Sequence, residues 1–496
     1  MLPERCLRNP AQAYKGPPKL PVAIIGGGLS GLACSIVLTR QGITHTIYES
    51  AEYYPQDGTG VVLDPAAMAA LKQINPWLRE YIDPYALRNW DRDKSEWSKE
   101  SKSWLTFRHG MATIPMSAVN TVDDETPGFN SVIVDTQACG PTEDGRRGIH
   151  RETLVEKMIG LIPTGTTKFG KHLVGLEDDG VAVKLTFRDE TVTWASAVLA
   201  CDGIRSVVRR TVLRSDPASI EPVFAGEYCY RTLIPMEHAQ SILGDERART
   251  GNVFCGYQGY VAIYPVLWQQ HEFVNMTAVR RHRDNTWPDM EAWRRPCTIE
   301  SVLGDFKDWG SDIIELLKTI NKPEKLALFD SHPAKTYTKG LLCLLGDAAH
   351  ASTPHQGGEA AMAFEDACTI GHLLQKANDP QGIKQAFHVF DKVRRARTQR
   401  LVLTSRTASR LFEFASGGVM GKIDNIRKDL EIRHDFDIRL QLQKIDSEYN
   451  ALSAAQILLP YLEEDQWIKV TTSQEEEDHD NKWVDIDMEE GSSFLI

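Results

Sequence analysis

A glycine-rich segment near the start of the chain constrains the fold more than any other feature. The sequence PVAIIGGGLSGLACSIVLTRQGITHTIYES predicts a strand over Val22–Ile25, a sharp glycine turn, a helix over Leu29–Arg40 and a second strand over Thr44–Glu49. A strand, helix and strand in this order form a βαβ unit, whose two strands lie parallel in one sheet. We therefore expect an α/β fold.

The glycines of this unit have the spacing of a dinucleotide-binding turn. Gly26, Gly28 and Gly31 satisfy G-x-G-x-x-G between a strand and a helix, where backbone amides and the helix N-terminus can hold a pyrophosphate. Glu49 ends the second strand, where a carboxylate accepts hydrogen bonds from an adenosine ribose. The alternative is a tight turn in another α/β fold beside a chance surface glutamate.

Charge is distributed unevenly along the 496 residues. The chain has 68 acidic and 56 basic side chains and a formal net charge of -12. Residues 471–496 hold nine carboxylates and one lysine, a net of -8, which leaves only -4 for the rest. No basic field exists to recruit nucleic acid. The acidic end is interpreted as a solvated tail, with an interaction segment as the alternative.

The cysteines and the N-terminal segment favour a cytoplasmic protein. Nine cysteines occur without a C-x-x-C pair or metal-ligand spacing, so we expect a reducing compartment and no metal. The first 20 residues lack the apolar core of a signal peptide. Leu20–Thr39 carries no charge, but its glycines suit a strand that turns into a helix rather than a membrane span. Monomer, homodimer and peripheral membrane contact all stay open.

Two later segments place further carboxylates at strand ends. The apolar run 197–201 ends in Asp202-Gly203, and the run 340–345 leads to Gly346-Asp347 before a helix that begins near a second glycine pair. A carboxylate there can bind ribityl hydroxyls. The helix N-terminus can face a flavin's pyrimidine carbonyl and stabilise charge on the reduced ring. Together these segments indicate FAD.

Four motifs in this order, namely G-x-G-x-x-G, His150-Arg151, Asp202-Gly203 and Gly346-Asp347, make the chain resemble a known family. The chain resembles class A flavoprotein monooxygenases of the salicylate hydroxylase group, especially fungal members, over about residues 21–410. The resemblance implies reduction of FAD by NAD(P)H, reaction with O2 to a flavin C4a-hydroperoxide, and hydroxylation of a phenolic aromatic substrate, as in secondary metabolism. Such families have no second Rossmann domain, and the chain has no second G-x-G-x-x-G.

The resemblance also implies roles for residues of the FAD site. Glu49 would bind the ribose, Arg151 the phosphates and Asp347 the ribityl chain, while Asp202 with Gly203 would serve both FAD and the nicotinamide donor. Residues that would approach the flavin are Gly60, Gly358 and Ala360. Glu359 departs from the small residue that many relatives carry at its position.

Two residues are candidates for binding the substrate. Arg231 lies in the predicted strand EYCYRTLIP, where a buried guanidinium is costly without an anion, and Tyr264 ends the predicted strand YVAIYP. Resemblance to fungal polyketide-dearomatising monooxygenases implies that an arginine and a tyrosine at these places bind the substrate phenolate. The cation would lower the phenol's pKa and the hydroxyl would orient its oxygen. The alternatives are an interdomain salt bridge and a core tyrosine.

Two further features have an open interpretation. His355 follows Pro354, which should lie near the flavin's reactive edge, so it is either a proton relay or a loop histidine bound to backbone. The stretch Lys392–Arg397 is interpreted as a solvated helix face.

The predicted architecture is an α/β fold with a discontinuous Rossmann-like FAD-binding domain, an inserted antiparallel β-sheet substrate domain and a helical C-terminal part. Two other functions stay open: epoxidation of an indole or isoprenoid olefin by the same flavin chemistry, and a non-catalytic FAD-binding protein. The predicted boundaries are an N-terminal tail (1–20), an FAD domain (21–90, 149–222 and 336–380), a substrate domain (91–148 and 223–335), C-terminal helices (381–470) and an acidic disordered tail (471–496).

Overall fold

The computed structural model describes residues 20–54, 58–91, 96–97, 103–112, 129–137, 146–290, 292–414 and 438–458. The predicted acidic tail and nearly all of the predicted N-terminal tail lie outside these residues. The chain divides into two compact units, Met1–Gln443 and Lys444–Ile496. Every site discussed below lies in the first unit, and the described part of the second is the end of one helix.

The described residues form the following strands: β1 (Val22–Ile25), β2 (His45–Tyr48), β3 (Gly60–Leu63), β4 (Trp90–Asp91), β5 (Glu96–Trp97), β6 (Ser103–His109), β7 (Val132–Gln137), β8 (Arg147–His150), β9 (Thr167–Lys168), β10 (Leu173–Asp178), β11 (Val183–Phe187), β12 (Val192–Ala195), β13 (Ala197–Ala200), β14 (Pro222–Pro235), β15 (Asn252–Gly256), β16 (Gly259–Trp268), β17 (His271–Arg281), β18 (Arg294–Pro296), β19 (Glu324–Ser331), β20 (Thr338–Lys339) and β21 (Leu342–Leu344). The α-helices are α1 (Leu29–Arg40), α2 (Pro65–Ile74), α3 (Pro76–Ile82), α4 (Arg151–Ile159), α5 (Val207–Val212), α6 (Met236–Leu243), α7 (Asp245–Ala248), α8 (Ile299–Asp305), α9 (Ser311–Lys318), α10 (Asp347–His350), α11 (Glu359–Leu374), α12 (Pro380–Phe412) and α13 (Ile438–Leu458).

A six-stranded, mostly parallel sheet contains the glycine turn. Its strand order is β20-β21-β13-β1-β2-β9, and β1 lies parallel to both β2 and β13. Every residue of β1 is buried, as expected for a central parallel strand. Helices α1 and α11 pack so closely that a Cβ atom at Gly371 would be 2.1 Å from Val37 Cγ1. The predicted βαβ unit is confirmed, with its helix at the predicted bounds.

An eight-stranded sheet forms the second large layer. Its order is β18-β19-β14-β17-β16-β15-β6-β7, and all neighbours are antiparallel except β15 and β6. One face packs on α6, α8 and α9 around a core that includes Tyr230, Phe254 and Met276. The opposite face contacts the C-terminal end of α12 through Ala408 and Phe412. The predicted fold class, a parallel sheet with an antiparallel sheet and C-terminal helices, is confirmed. The predicted domain boundaries stay a prediction.

A short strand pair connects the two large sheets. Strands β3 and β8 pair with each other and lie against β16, where a Cβ atom at Gly148 would be 2.2 Å from the Pro265 carbonyl oxygen. Such a close approach is open only to glycine. The remaining small sheets are β10-β11-β12 and β4-β5. Among the described residues, no helix has the length and apolar character needed to cross a membrane.

Candidate active site

The three motif glycines meet different demands: Gly26 and Gly28 lie between β1 and α1, and Gly31 lies in the first turn of α1. Gly26 has φ +97°, and a Cβ atom there would be 2.3 Å from the Cys201 carbonyl oxygen. A Cβ atom at Gly31 would be 2.0 Å from the Gly26 carbonyl oxygen. Gly28 precedes the first residue of α1, and nothing lies within 4 Å of the Cβ position there. Gly26 and Gly31 therefore close the turn, and Gly28 keeps the helix N-terminus open.

Glu49 lies beside this turn. Its carboxylate accepts hydrogen bonds from the Gly27 amide at 2.6 Å and from the Ala51 amide at 2.8 Å. These two bonds fix the side chain at the end of β2, next to the open N-terminus of α1. A nucleotide bound at the turn would thus find both backbone donors and a carboxylate acceptor.

Asp202 follows β13 at the same edge of the sheet. Its Oδ2 accepts a hydrogen bond from the Val207 amide at 2.8 Å, and its Oδ1 is buried with no hydrogen-bond partner among the described residues. Burial raises the pKa of this carboxyl, against the bonds from Ser206 and Val207. Gly203 follows with φ +76° and open space at its Cβ position. A buried acceptor without a partner is costly, so this position suits a bound donor such as a ribose or ribityl hydroxyl.

Asp347 begins α10 immediately after Gly346, which has φ +55°. Asp347 is exposed. Surrounding protein raises the pKa of Asp347, while the charges of His350 and Arg151 lower it. Arg151 begins α4 and packs beside Gly58, where a Cβ atom would be 3.1 Å from the arginine Cβ. The predicted phosphate-binding and ribityl-binding residues are therefore electrostatic neighbours.

A buried ion network that sequence reasoning missed holds the Gly346-Asp347 turn. Asp366 on α11 accepts hydrogen bonds from the Gly346 amide at 3.0 Å and contacts His350 Nε2 at 2.7 Å. Arg394 on α12 donates to Asp366 at 2.7 Å and to Glu365 at 2.7 Å. Arg394 is fully buried, so the interpretation of its helix face as solvated is wrong at this residue. Its two carboxylate partners supply the compensation that a buried guanidinium needs.

Arg209 on α5 supports the same turn from the other side. It is 1% exposed and donates to four carbonyl oxygens: those of Ser219, Ala348, Ala349 and His332, at 2.8 Å to 3.1 Å. The planar guanidinium can satisfy several carbonyl groups at fixed angles, which an ammonium cannot. In the sequence, Arg209 lies in the basic stretch that follows Asp202-Gly203.

Together these residues fit FAD. The open helix N-terminus at Gly28, the acceptor at Glu49, the buried unpartnered Oδ1 of Asp202 and the carboxylate of Asp347 form one continuous edge of the parallel sheet. Gly358 precedes the first residue of α11, and Ala360 is the second residue of that helix. The partial positive charge of a helix N-terminus suits an anionic group of the cofactor.

Arg231 and Tyr264 lie on one face of the eight-stranded sheet. Arg231 on β14 pairs with Thr277 on β17, which pairs with Ala262 on β16, two residues before Tyr264. The Arg231 Nε is buried and makes no hydrogen bond to a described residue, so the structure shows no interdomain salt bridge there among the described residues. Its charge lowers the pKa of Tyr264, whereas burial raises that pKa to about 12.

Gly60 on β3 lies against the sheet face that carries Arg231 and Tyr264. A Cβ atom there would be 2.8 Å from the Tyr264 hydroxyl oxygen, and the Gly60 amide donates to Asn275 Oδ1 at 2.8 Å. Gly60 was predicted to approach the flavin, and the structure places it directly against the predicted substrate residue Tyr264.

His355 lies in the loop between α10 and α11 and is buried. Its Nδ1 is 2.7 Å from the Tyr260 hydroxyl, and its Nε2 is 3.0 Å from Glu227 Oε2. The second contact is at ion-pair distance but does not have the angles of a hydrogen bond. Both partners are side chains, whereas the alternative interpretation expected backbone. Sequence reasoning missed Glu227, although it begins the same segment, EYCYR, that drew attention to Arg231.

Comparisons with known proteins show that the chain is similar to flavin-dependent monooxygenases. A family model described as an FAD binding domain matches residues 19–81. The chain is 32% identical over 432 residues to the 6-methylsalicylate 1-monooxygenase of Aspergillus terreus, covering 86% of this chain and 90% of that protein. It is 31% identical over 413 residues to a salicylate hydroxylase of Sarocladium schorii, covering 79% and 81%. A solved substrate complex of a salicylate hydroxylase superposes with a TM-score of 0.71 at 27% identity, covering 86% of this chain and 98% of the other.

Proposed function

The chain belongs to the class A FAD-dependent aromatic monooxygenases related to salicylate hydroxylase, and from that premise we propose that it hydroxylates a phenolic ring bound as its phenolate by Arg231 and Tyr264. Membership of this family makes it an enzyme, which sets aside the alternative of a non-catalytic FAD-binding protein. FAD is its cofactor, and NAD(P)H is the reductant typical of the family. Two relatives are named for salicylate or 6-methylsalicylate, which supports a phenolic substrate.

One observation carries the proposal: the Arg231 Nε is buried and unpartnered. No described residue forms a hydrogen bond to it, although an unsatisfied buried donor costs about 1–3 kcal/mol and more when charged. An anion brought by the substrate would satisfy it. A phenolate is the anion that also serves the chemistry, because a negatively charged oxygen makes the ring electron-rich toward an electrophilic oxygen.

Tyr264 complements Arg231 as a neutral donor. Burial raises the pKa of Tyr264 to about 12, so its hydroxyl keeps its proton near neutral pH and can donate to a phenolate oxygen. Arg231, in contrast, supplies a fixed charge that lowers the substrate's own pKa. The two groups thereby stabilise the ionised substrate and fix the position of its oxygen.

The residues of the cleft edge would hold the cofactor. Glu49, Asp202, Asp347 and the α1 N-terminus would bind the sugar, ribityl and pyrophosphate parts, with Arg151 beside the phosphates. When bound, FAD supplies the oxygen atom for transfer, taken from O2 after reduction by NAD(P)H. The protein's own part is to bind and deprotonate the substrate and to exclude water from it.

The proposal can be tested by the spectrum of a bound ligand. FAD-loaded protein should convert a bound phenol to its phenolate below the phenol's solution pKa, visible as phenolate absorbance when ligand is added. Arg231→Gln should remove that signature, Arg231→Lys should retain part of it because the charge stays, and Tyr264→Phe should weaken binding. An Arg231→Gln variant that binds and ionises the phenol like the wild type would contradict the proposal.

Epoxidation of an olefin by the same chemistry needs no phenolate partner. Substitution of Arg231 would then leave turnover of an indole or isoprenoid substrate largely intact. The unpartnered Nε of Arg231 favours the phenol, because an olefin offers it no acceptor.

A further inference from the structure

A buried pair of carboxyl groups lies behind His355. Glu227 on β14 and Glu413, directly after α12, are 2% and 0% exposed. The two carboxyl groups lie close together, because Ser409 on α12 donates to Glu227 and lies 3.4 Å from Glu413 Oε1. Two ionised carboxylates at such a distance repel strongly in a buried site, so the arrangement calls for one proton between them.

One cation on the sheet compensates the charge of this pair. Arg281 on β17 donates to Glu413 at 2.6 Å and to Glu227 at 3.2 Å. Arg281 balances the charge of one ionised carboxylate. A proton on the other carboxyl group leaves that group uncharged. Burial and the adjacent Glu227 raise the pKa of Glu413 to about 9, whereas the charge of His355 helps to hold the pKa of Glu227 low, against its burial. Because His355 Nε2 lies 3.0 Å from Glu227 Oε2, the anion is assigned to Glu227 and the shared proton to Glu413.

The ionised member of the pair faces His355. Glu227 Oε2 is 3.0 Å from His355 Nε2, while Nδ1 of the same ring is 2.7 Å from the Tyr260 hydroxyl. Tyr260 shares its strand face with Tyr264, and the charge of Arg231 lowers the pKa of Tyr260 although burial raises it overall. Glu227, Cys229 and Arg231 alternate along β14 and share a face. The pair is thus connected to the substrate residues through one imidazole ring.

We propose that Glu227 and Glu413 are positioning residues that share a single proton at neutral pH and thereby hold His355 between Tyr260 and the pair. This inference rests on the proposed function, since it assigns His355 to the proton exchange of the phenol site. With Glu413 neutral, the ionised Glu227 lies 3.0 Å from His355 Nε2 and stabilises an imidazolium. The ring then accepts a proton at Nδ1 from the Tyr260 hydroxyl, which takes up the proton that the bound phenol loses: the phenol O–H bond breaks, the tyrosine O–H bond is restored and an N–H bond forms on the ring. Loss of the shared proton adds a second buried anion, which competes for Arg281 and disturbs the contact with His355.

Several other charged or titratable groups lie on the elements that pack against the pair. These groups are Cys229 and Arg231 on β14, Tyr260 on β16, Arg280 and Arg281 on β17, His355 in the loop before α11, and the Asp330–Arg406 pair between β19 and α12.

The Asp330–Arg406 pair supplies a matched control. Asp330 is a fully buried carboxylate that binds Arg406 of α12, as Glu413 binds Arg281, but no contact joins it to His355. Asp330→Asn therefore loosens the contact of α12 with the sheet without touching the shared proton.

Infrared spectroscopy of the FAD-loaded protein tests the shared proton without turnover. We expect a protonated-carboxyl band at neutral pH that disappears with a midpoint near pH 9, is absent from Glu413→Gln, and persists in Asp330→Asn. A wild-type protein without the band, or a Glu413→Gln variant that retains it, would overturn the proposal.

The ratio of hydroxylated product to NAD(P)H consumed tests the link to His355. The ratio should fall in the wild type and in Asp330→Asn with the same midpoint as the infrared band, and Glu413→Gln should lose that transition. A transition that persists in Glu413→Gln would overturn the positioning role. If no phenol is hydroxylated by any protein, the proposed function fails while the infrared result still decides the shared proton.

Discussion

The ring of Tyr264 lies against the backbone of Gly60, so that a Cβ atom at position 60 would be 2.8 Å from both the tyrosine hydroxyl oxygen and Cε2. Gly60 belongs to the strand pair β3-β8, which lies between the FAD-binding motifs in the sequence, and Tyr264 belongs to the eight-stranded sheet. The contact therefore joins the strand pair to the sheet that carries the proposed substrate residues. The addition of one methyl group at position 60 should therefore change the affinity for the substrate.

Gly60→Ala should weaken the binding of a phenolic ligand to the FAD-loaded protein by roughly ten- to a hundredfold, because Tyr264 or β3 must shift. The measurement is a titration of the flavin absorbance with ligand. Gly304→Ala is the control, because it lies in α8 with nothing within 4 Å of the Cβ position. Equal ligand affinity in both variants would contradict the coupling of Gly60 to the substrate site.

Alanine substitutions at two motif glycines should distinguish an effect on stability from an effect on FAD affinity. Gly31→Ala places its Cβ atom 2.0 Å from a backbone oxygen, so the protein without FAD should lose about 1–3 kcal/mol of stability. Gly28→Ala has open space and should leave that stability nearly unchanged while raising the Kd for FAD, since its methyl group lies where the pyrophosphate would bind. Thermal unfolding and FAD titration measure the two effects. A Gly28→Ala variant with wild-type FAD affinity would argue against a pyrophosphate at this turn.

Arg394→Gln should lower the free energy of unfolding by about 3–5 kcal/mol, because it removes the buried arginine that bonds Asp366, whereas Glu365 keeps its ion pair with Arg397. It should also lower FAD affinity, since Asp366 holds the Gly346 amide. Arg395→Gln, one residue along, removes a partly exposed ion pair with Asp391 and should cost less than about 1 kcal/mol. Denaturant unfolding of the two variants gives the comparison, and equal losses would contradict the assigned role of Arg394.

The Glu227–Glu413 pair should make stability depend on pH in a defined direction. In the unfolded chain both carboxyl groups ionise near 4.5, whereas in the folded chain Glu413 keeps its proton up to about pH 9. Between these values the folded state binds one proton more than the unfolded state, so stability falls as the pH rises and levels off above about pH 9. Glu413→Gln should remove this fall. Thermal midpoints of both proteins across that range measure it, and parallel curves would refute the assignment.

The glycine turn and its flanking elements could be predicted because their signals are local. The apolar strand, the spacing of Gly26, Gly28 and Gly31, and the carboxylate of Glu49 all lie within about thirty residues, the length of one βαβ unit. Strand bounds differ from the predictions by a residue at each end of β2, as fraying and assignment allow.

The buried ion networks could not be predicted, because their members come from distant parts of the chain. Arg394 lies in a run of basic residues that is typical of a solvated helix face, and only the packing of α12 on α11 reveals its acidic partners. The meeting of Glu413 with Glu227 likewise depends on the 33-residue length of α12. Glu227 itself left a signal, because it precedes Arg231 by four residues in one strand and must share its face.

The most direct test of the account is turnover by the FAD-loaded wild type and its Arg231→Gln variant, with NADH and NADPH, on phenolic acids, resorcylic aldehydes and indoles. The account predicts that one class of phenol stimulates NAD(P)H oxidation and gains the mass of one oxygen atom, and that Arg231→Gln loses most of this product while still binding FAD. Oxygenation of an indole or olefin that survives in Arg231→Gln, with no phenol turned over by the wild type, would contradict it.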